Sequence, residues 1–393
     1  MNALFIKKIK LNMNVLIVLN ERISDWEEKG EIIENYFNPK NYFDKITILN
    51  LVKNEKVKKK TLQKLCGKAK FRIYFCKNRI LTSKIFQFFF PVYIIKKFII
   101  NEFIFLKSEK INIIQSIGDG FSAFVSAILS DELKVKFFLS IHTVINSFIF
   151  YNLLSFKEKI IFIFHYRFKK KSYYKASMII AVYESIYDCI SFENKKKVKI
   201  IYNQIPVKRS NIKTNYSSKK IFELITVGRL IKGKSPENII RAIINIDDIR
   251  LTIVGNGPLK RKLLFLCKYY KLESKVIFKE KLKNKDLIRL LKNFDAFICN
   301  TQYLEFPKTI IEALLVGLPL IVNDDSKTIK EYNDLNIFWT ENTPELYKKT
   351  IEKVMVNIKM REIFSKNNVN ISWKKFSESS RNNTLVKNLN NLL

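Results

Sequence analysis

Residues 222–258 read FELITVGRLIKGKSPENIIRAIINIDDIRLTIVGNGP. Within this stretch two short runs of apolar and β-branched residues, Phe222–Val227 and Leu251–Val254, each pass directly into glycine, and a helical segment separates them. Runs of this length and composition, bounded by glycine or polar residues, predict buried strands. A strand, a helix and a second strand in this order predict a parallel sheet covered by helices.

The same alternation of short apolar runs and helical segments extends along the chain in both directions. Repeated in this way, it predicts parallel sheets with helices on both faces, and ligands of such sheets bind at the carboxyl ends of the strands. The remaining predicted strands are Met13–Leu19, Lys45–Leu51, Phe71–Cys76, Ile111–Ser116, Val135–Ile141, Met178–Val182, Val198–Tyr202, Val276–Phe278, Asp295–Cys299 and Leu320–Asn323.

A polar stretch after Pro206, residues 208–220, is the best candidate for a linker between two series of strands. Two series joined by one linker favour an α/β protein of two Rossmann-like domains, whose parallel sheets face a central cleft. We place the N-terminal domain at residues 1–206 and the C-terminal domain at residues 207–393. The last residues, about 373–393, are compatible with a final helix that packs back on the N-terminal domain.

The chain is strongly basic. Its 393 residues include 71 Lys and Arg against 36 Asp and Glu, a formal net charge of +35. Such an excess favours anionic partners, such as an anionic membrane surface, nucleic acid or phosphorylated substrates. A composition biased toward Lys, Ile, Asn and Phe explains the charge equally well. The sequence contains no zinc finger or RNP-like strand, so we do not expect a nucleic-acid partner.

Cysteine and histidine do not form a metal-binding pattern. The five cysteines are scattered without a CxxC pair, and His142 and His165 are the two histidines of the chain. We therefore expect no metal site and a reducing, cytoplasmic environment. Residues 1–12 lack the apolar core and cleavage site of a signal peptide. The longest apolar stretch, Phe86–Leu106, is interrupted by charged residues and is not a clean membrane span.

The nine glycines of the chain are few enough that each is expected to meet a backbone requirement, such as a positive φ or a close approach. Gly228 follows the strand Phe222–Val227, and Gly255 and Gly257 follow the strand Leu251–Val254. All three therefore fall at the carboxyl edge of the sheet, where ligands bind. Ordinary turn glycines are the alternative for each of them.

Two cations lie just past the end of the first of these strands. Arg229 and Lys234 belong to the segment TVGRLIKGK, residues 226–234. Arginine offers a fork of donors and lysine a compact charge, so the pair suits a diphosphate. Solvated surface charge is the alternative for either residue. Lys232 lies close enough in sequence to substitute for Lys234.

A third segment, residues 300–319, reads NTQYLEFPKTIIEALLVGLP. Pro307 suits the start of a helix and Gly317 its end, which predicts a helix over about Lys308–Val316. The free backbone N–H groups and the positive dipole end at the start of this helix suit a phosphate. Glu312 lies about one turn further, within reach of a ribose. An exposed helix glutamate is the alternative for this residue.

The order VGRL…K, IVGNGP and EFPKTIIEA…GLP resembles the family 4 retaining glycosyltransferases of GT-B fold, which belong to the group 1 glycosyl transferases. Weaker landmarks of the same family lie in the N-terminal half: Gly30 after the first strand, SIHT at 140–143 and IIYN at 200–203. The resemblance thus covers nearly the whole chain and is most specific over residues 222–322.

The resemblance implies that a sugar is moved from a nucleotide-diphospho-sugar to a saccharide or lipid-linked saccharide acceptor, with retention of configuration. Synthesis of cell-envelope polysaccharide or of another glycan is the implied setting. Because cations of the protein would stabilise the leaving diphosphate, no metal or other cofactor is expected. The N-terminal domain is implied to hold the acceptor and the C-terminal domain the donor.

The resemblance also implies roles for individual residues. Arg229 and Lys234 would hold the diphosphate, and Glu312 would bind the nucleotide ribose. Gly30 would let the first loop approach the phosphates, and His142 would lie near the transferred sugar. A satisfied core histidine is the alternative for His142. The other implied donor-binding residues are Gly228, Gly255, Gly257, Glu305, Phe306, Pro307, Lys308 and Thr309.

The sequence departs from the family pattern in two places. The family usually has two glutamates with seven residues between them, whereas six residues separate Glu305 and Glu312. Counted back from Glu312, the first acidic position falls on Leu304. Either the loop shifts by one residue, or this contact with the sugar is lost. Ser235 also stands where the family often has glycine after the lysine.

Two other functions stay open at this point. One is a sugar-nucleotide epimerase or hydrolase on the same fold, which would need no acceptor. The other is a non-catalytic basic module that binds a membrane or nucleic acid. Because the basic residues are spread rather than confined to one block, the second alternative is the weaker one.

Two stretches rich in aromatic and basic residues, 84–107 and Phe156–Tyr174, lie in the predicted N-terminal domain. Aromatic side chains beside lysines suit a membrane interface. They therefore indicate peripheral docking on the inner membrane leaflet. The alternative is that the aromatic residues belong to the core and the lysines are solvated.

Overall fold

The computed structural model describes residues 12–53, 55–83, 87, 90–142, 159, 168–216 and 220–393. The N-terminal domain is built on a seven-stranded sheet in the order β3-β2-β1-β4-β5-β6-β7, with every neighbouring pair parallel. Its strands are β1 (Asn14–Leu19), β2 (Lys45–Asn50), β3 (Lys70–Phe75), β4 (Ile113–Ile117), β5 (Lys136–Ile141), β6 (Met178–Ala181) and β7 (Val198–Ile200).

The C-terminal domain repeats the architecture with a six-stranded parallel sheet in the order β10-β9-β8-β11-β12-β13. Its strands are β8 (Phe222–Val227), β9 (Ile249–Val254), β10 (Val276–Lys279), β11 (Ala296–Cys299), β12 (Leu320–Asn323) and β13 (Phe338–Thr340). The predicted α/β class with two Rossmann-like domains is confirmed. Each predicted strand is present with its ends shifted by at most two residues, and β13 was missed because three residues carry too little pattern.

Helices connect the strands of both sheets. In the N-terminal domain they are α1 (Ile23–Glu28), α2 (Lys59–Cys66), α3 (Arg79–Thr82), α4 (Val92–Phe103), α5 (Phe121–Leu133), α6 (Glu184–Asp188) and α7 (Phe192–Lys195). In the C-terminal domain they are α8 (Glu237–Ala242), α9 (Lys260–Tyr269), α10 (Asn284–Leu291), α11 (Lys308–Val316), α12 (Pro344–Val356), α13 (Ile358–Phe376) and α14 (Glu378–Leu392).

The sheets are apolar on both faces because helices cover both of them. All six residues of β1 are buried, and α5 is buried along most of its length. The strand order reverses between β1 and β4 in the first sheet and between β8 and β11 in the second. Loops that leave the carboxyl ends of strands on either side of such a reversal bound a crevice in which ligands bind. The fold therefore places one such crevice in each domain.

The chain returns to the N-terminal domain at its end. Helix α14 packs Leu385 and Leu389 into the core that contains β1 and β2. The hydroxyl of Tyr42 donates a hydrogen bond to Oδ1 of Asn390 over 2.8 Å, and Lys136 Nζ donates to the carbonyl of Leu392 over 2.9 Å. The final helix begins at Glu378, five residues later than the sequence suggested.

An aromatic cluster joins the two domains where the chain crosses between them. The ring of Phe376, at the end of α13, lies 4.7 Å from that of Tyr202 in the N-terminal domain and 5.4 Å from that of Phe306 in the C-terminal domain. Tyr332 packs edge-on against Phe306 at 5.0 Å. These ring contacts pack residues of the two domains against each other at the crossing.

Candidate active site

A cavity of about 530 Å³ opens between the two domains. The C-terminal domain contributes the loops that follow β8, β9, β10 and β11, together with the start of α11. The N-terminal domain contributes Lys29, Glu31, His142, Tyr183 and Asn203. The cavity therefore lies at the carboxyl ends of the strands, where the alternation of strands and helices places a ligand.

The loop after β8 supplies the two predicted cations. Arg229 is exposed on the cavity wall, and Lys234 is about four-fifths buried and forms an ion pair with Glu305. The ammonium group of Lys234 also lies 5.2 Å from the centre of the Tyr303 ring. Lys232 is exposed outside the cavity lining, and its backbone carbonyl accepts a hydrogen bond from the Tyr303 hydroxyl. The structure thus brings Lys234, rather than Lys232, into the cavity.

Gly255 and Gly257 allow the loops after β8 and β9 to lie against each other. A Cβ atom at Gly255 would collide with the carbonyl oxygen of Gly228, and one at Gly257 would collide with that of Leu230. The loops are also joined by hydrogen bonds from Gly228 N to Val254 O and from Leu230 N to Asn256 O, each 3.0 Å long. The space at Gly228 is open toward the cavity. Gly255 and Gly257 therefore shape the cavity wall by backbone packing, and Gly255 also lines the cavity.

Helix α11 begins at the cavity. Pro307 precedes its first residue, and no side chain in the described part of the chain caps this end. Lys308 and Thr309 in its first turn line the cavity together with Pro307. An uncapped helix start presents backbone N–H groups and a positive dipole end. Lys308 Nζ also lies 4.0 Å from an oxygen of Glu31, so this lysine faces the N-terminal domain.

Glu312 lies one turn into α11 and is 2% exposed. The alternative of an exposed helix glutamate is therefore wrong. Oε1 accepts a hydrogen bond of 2.5 Å from the Nδ2 group of Asn284. Burial raises the pKa of the Glu312 carboxyl to about 7, and the positive charge of Lys308 and the Asn284 hydrogen bond partly oppose this rise. The result is a carboxyl group at the cavity wall that titrates near neutral pH.

His142 follows β5 and lies where the two domains meet. Its Nδ1 is 3.2 Å from Oδ1 of Asn203, and its Nε2 is 3.0 Å from the hydroxyl of Ser140. Because the Asn203 oxygen can only accept, Nδ1 carries the proton and Nε2 accepts from Ser140. Burial lowers the pKa of the imidazole below 6.5, so the ring is neutral at pH 7. His142 is hydrogen-bonded and lines the cavity as well.

Gly30 contacts the opposite domain. It has φ +66°, and a Cβ atom there would lie 2.8 Å from Cβ of Lys283 and 3.0 Å from the backbone nitrogen of Asn284. Its sequence neighbours Lys29 and Glu31 line the cavity. The structure therefore places Gly30 where the first loop of the N-terminal domain meets the start of α10.

The acidic loop before α11 places Glu305 in the cavity. Either Leu304 or Glu305 takes the first acidic position of the family pattern. Glu305 lines the cavity and is ion-paired with Lys234, whereas Leu304 does not belong to the lining. Phe306 lines the cavity too, although its ring is 3% exposed and packs into the interdomain aromatic cluster. Ser235 accepts a hydrogen bond from Asn300 Nδ2 through its backbone carbonyl over 2.8 Å, which ties the two loops together.

Residues 207–370 match the family model of glycosyl transferases group 1. These residues form a group 1 glycosyltransferase domain. All three motifs of the C-terminal half, and the cavity residues that they supply, fall within this group 1 domain.

Two curated relatives are similar over part of their length. An uncharacterized glycosyltransferase of Methanocaldococcus jannaschii is 27% identical over 245 residues, which are 56% of this chain and 61% of that protein. An N-acetylgalactosamine-N,N'-diacetylbacillosaminyl-diphospho-undecaprenol 4-alpha-N-acetylgalactosaminyltransferase of Campylobacter jejuni is 30% identical over 139 residues, 35% of this chain and 37% of that protein. The chain thus matches less than two thirds of the length of these relatives.

A solved structure is similar over nearly the whole chain. HepE of Anabaena, crystallised with UDP and glucose, superposes with a TM-score of 0.69 at 14% identity and covers 96% of this chain and 99% of that one. At this identity the likeness shows the fold, which is the GT-B arrangement of two facing Rossmann-like domains. The predicted GT-B fold is confirmed.

The loop after β10 was not predicted to contribute to the site. In the group 1 domain, Lys281, Leu282 and Asn284 follow β10 and line the cavity. The strand before them was predicted, and its carboxyl end could have indicated that these residues lie at the ligand-binding edge of the sheet. Because no glycine or motif marks this loop, the sequence analysis assigned no site residue to it.

A second cavity of about 500 Å³ lies in the N-terminal domain and shares Glu31, His142, Asn203 and Lys308 with the first. It is lined by Trp26, Tyr36 and Phe121, and by residues 117–122 after β4. On one wall Asp119 forms an ion pair of 2.7 Å with the buried Lys169 and accepts a hydrogen bond of 2.7 Å from the Tyr173 hydroxyl. His142 therefore lines both the interdomain cavity and the cavity of the N-terminal domain.

Within the ranges of the chain described above, no group of three or more His, Cys, Asp and Glu side chains is placed to hold a metal ion. None of the helices in those ranges has both the length and the apolar character needed to cross a bilayer.

Proposed function

We propose that the protein transfers a sugar from a nucleoside-diphosphate sugar, bound against the group 1 domain, to a saccharide or lipid-linked saccharide bound against the N-terminal domain. The observation that carries the proposal is the composition of the interdomain cavity. Arg229, Lys234 and the start of α11 supply positive charge on one side, and Glu312 supplies a buried carboxylate on the same wall. A diphosphate requires this positive charge, and the two hydroxyls of a ribose require an acceptor such as the carboxylate.

The cations would act on the leaving group. When the bond between sugar and phosphate breaks, negative charge develops on the nucleoside diphosphate, and preorganised cations lower the energy of that state. Arg229 and Lys234 come from one loop, and Lys308 and the N–H groups of α11 come from the next strand along the sheet. Because these groups converge on one wall, we propose that the reaction needs no metal ion.

Retention of configuration is the proposed stereochemical course. His142 has both ring nitrogens hydrogen-bonded, and Glu305 is ion-paired with Lys234, so neither is arranged as a free nucleophile. A same-face transfer, in which the leaving diphosphate and the acceptor share one side of the sugar, needs no covalent intermediate. Within this arrangement His142 would contact the transferred sugar, since it lines both cavities.

The second cavity would hold the acceptor. Trp26, Tyr36 and Phe121 offer aromatic faces, and Glu21, Glu31, Asp119, Lys169 and Lys308 offer polar groups of both signs. Aromatic faces beside polar groups suit a saccharide, which has apolar C–H faces and many hydroxyls. The Campylobacter jejuni relative is named for transfer to a diphospho-undecaprenol-linked saccharide, and this name supports a lipid-linked acceptor in envelope glycan synthesis.

We further propose that the N-terminal domain docks on an anionic membrane from the cytoplasmic side. On α4 Tyr93 is 64% exposed and Lys97 is exposed, and on the helical residues 168–175 Tyr174 is 71% exposed and Lys170 is exposed. Burial lowers the pKa of Lys171, and the positive charge of Lys96 on α4 lowers it further, so these two lysines lie near each other. Phe168 and Tyr173 point inward instead, so the core explanation holds for them.

Much of the two aromatic stretches lies outside the described residues. This applies to residues 84–86, 88–89, 156–158 and 160–167, and it also applies to Thr143 of the SIHT landmark. The docking proposal therefore rests on α4 and on residues 168–175, together with the net charge of +35.

Donor binding can be tested by thermal shift with UDP-, GDP- and other nucleotide sugars, each with EDTA present. We expect the nucleotide sugars of one base to raise the melting temperature of the protein by several degrees. Product analysis by NMR with and without saccharide or lipid-linked acceptors should then show a new α- or β-linkage of unchanged configuration. An isomerised sugar formed without acceptor would instead establish an epimerase, free sugar a hydrolase, and no shift with any nucleotide sugar would contradict the proposal.

A further inference from the structure

Asn284 is a buried side chain at the cavity wall with an unfilled hydrogen-bonding site. It is the first residue of α10 and is 7% exposed. Its Nδ2 group donates to Oε1 of Glu312, while its Oδ1 is buried and has no hydrogen-bond partner among the residues that the structure describes. Buried side-chain oxygens in folded proteins are nearly always paired. An unpaired oxygen on a side chain that lines a cavity therefore points to a donor supplied by a ligand.

The orientation of the amide is determined by its neighbour. At pH 8, above its pKa of about 7, the Glu312 carboxyl is mostly ionised and accepts hydrogen bonds, so the amide nitrogen faces it and the amide oxygen faces away. Among the described residues, Asn284 is the one hydrogen-bond partner of the Glu312 carboxylate. The backbone of Asn284 lies against Gly30 of the other domain, which restricts its movement when the domains are together. Glu312 and Asn284 thus present two acceptor groups side by side.

Two neighbouring acceptors select a ligand with two neighbouring donors. We propose that Asn284 determines specificity for ribonucleotides: its Oδ1 accepts from one hydroxyl of the ribose diol while the Glu312 carboxylate accepts from the other. This inference rests on the proposed function, because it assumes a nucleoside diphosphate in the cavity. A 2′-deoxyribose would leave one buried acceptor unpaired, and sites built for a hydroxyl reject analogues that lack it.

The test compares dissociation constants for a nucleoside diphosphate and its 2′-deoxy form, measured by calorimetry at pH 8 with the base chosen by thermal shift. The wild-type protein should prefer the ribonucleotide by about tenfold or more. Asn284→Ala should reduce this preference to about threefold or less. Asn256→Ala is the matched control, because Asn256 lines the same cavity but is exposed, and its preference should equal that of the wild type.

A double-mutant cycle separates direct contact from a positioning effect. If Asn284 acts only by holding Glu312, Asn284→Ala should not change the ribonucleotide preference of a Glu312→Ala protein. If Oδ1 contacts the ligand, Asn284→Ala should lower that preference further. No further loss in the Glu312→Ala protein would overturn the inference, and so would an unchanged preference in Asn284→Ala. A folded Asn284→Ala protein is verified by its circular dichroism spectrum and its melting temperature.

Failure of the proposed function has a different outcome. If the wild-type protein binds no nucleoside diphosphate of any base, the proposed function is overturned together with the inference. If it binds one tightly but does not distinguish ribose from deoxyribose, only the role of Asn284 is overturned.

Discussion

Lys234 and Glu305 form an ion pair inside the interdomain cavity, although they lie in loops that follow two different strands, β8 and β11. Both side chains are more than four-fifths buried. In the absence of a diphosphate, Glu305 thus neutralises a cation that would otherwise be held away from water at a cost. A diphosphate that enters the cavity competes with Glu305 for Lys234. Removing Lys234, or the second predicted cation Arg229, should therefore lower turnover mainly because charge on the leaving group is less well stabilised.

Arg229→Ala and Lys234→Ala should each lower turnover by about 100-fold or more, which is typical for the loss of one group that stabilises a developing charge. Lys232→Ala is the control, because Lys232 lies in the same loop but outside the cavity lining. Turnover is measured with saturating donor and acceptor. An active Lys234→Ala protein together with an inactive Lys232→Ala protein would show that the roles within this loop are assigned incorrectly.

Glu312→Gln should change how stability depends on pH. Burial raises the pKa of this carboxyl from 4.5 to about 7 in the folded protein. Between these values the folded state holds a proton that the unfolded state has released, so the free energy of unfolding falls as pH rises through this window. Above pH 7 the free energy of unfolding is lower than below pH 4.5 by an amount on the order of 3 kcal/mol. Glutamine has no such titration.

The melting temperatures of the wild-type protein and of Glu312→Gln should accordingly be compared at pH 5 and pH 8 without nucleotide. We expect the melting temperature of Glu312→Gln to exceed that of the wild type by more at pH 8 than at pH 5. In a separate binding measurement, the variant should bind nucleotide more weakly at both pH values. A difference between the two proteins that stays constant across this range would argue that Glu312 is already ionised at pH 5.

His142→Ala should lower turnover about 10- to 100-fold with little effect on donor affinity, because the contact proposed for His142 is with the transferred sugar rather than with the nucleotide. Turnover and the dissociation constant of the nucleoside diphosphate are measured separately. Since burial lowers the imidazole pKa below 6.5, His142 should not cause any change in wild-type turnover above pH 7. Equal weakening of nucleotide binding would place His142 in the donor subsite instead.

Gly30→Ala should hold the two domains apart. The new Cβ atom would lie 2.8 Å from Cβ of Lys283 in the other domain. We expect turnover to fall about tenfold or more and the radius of gyration from X-ray scattering to increase. Gly67→Ala is the matched control: Gly67 has a similar φ of +60°, but its Cβ would meet Asn35 and Asn41 within the N-terminal domain. If both variants lose activity equally, backbone strain rather than domain contact is responsible.

Membrane docking should appear in flotation with vesicles of phosphatidylglycerol and phosphatidylcholine, and it should weaken as salt rises because exposed charges are screened. A variant with Tyr93→Ser, Lys97→Ser, Lys170→Ser and Tyr174→Ser should float less. Phe265→Ser with Tyr269→Ser is the control, since these rings are about 70% exposed beside lysines on α9 of the other domain. No binding to anionic vesicles in low salt would favour an acceptor that is not membrane-bound.

Local patterns were sufficient to predict the elements of the fold. The strands β8 and β12 and the helix α11 lie where the sequence predicted them, residue for residue. Runs of β-branched residues determine strands, and Pro307 and Gly317 mark the ends of α11, because these effects act between residues close in the chain. The same locality explains why Arg229, Lys234 and Glu312 were assigned to the carboxyl edge of the sheet.

Contacts between distant residues were decided only by the tertiary structure. Gly255 and Gly257 suggested a close approach, yet only packing reveals that their neighbour is the backbone of the loop after β8. Gly30 meets Lys283 of the other domain. Asn284 carries no sequence signal, because its importance arises from a hydrogen bond to Glu312 across the cavity wall.

The sequence by itself thus determined two parallel-sheet domains and the edge at which their ligand sites lie, since hydrophobic pattern and glycine placement are properties of short segments. The tertiary structure decided which charges are buried and which are paired. It turned Glu312 from an ordinary helix glutamate into a carboxyl with a pKa of about 7, and it joined Lys234 to Glu305. Exclusion of water depends on everything packed around a group, and no short segment of sequence contains that information.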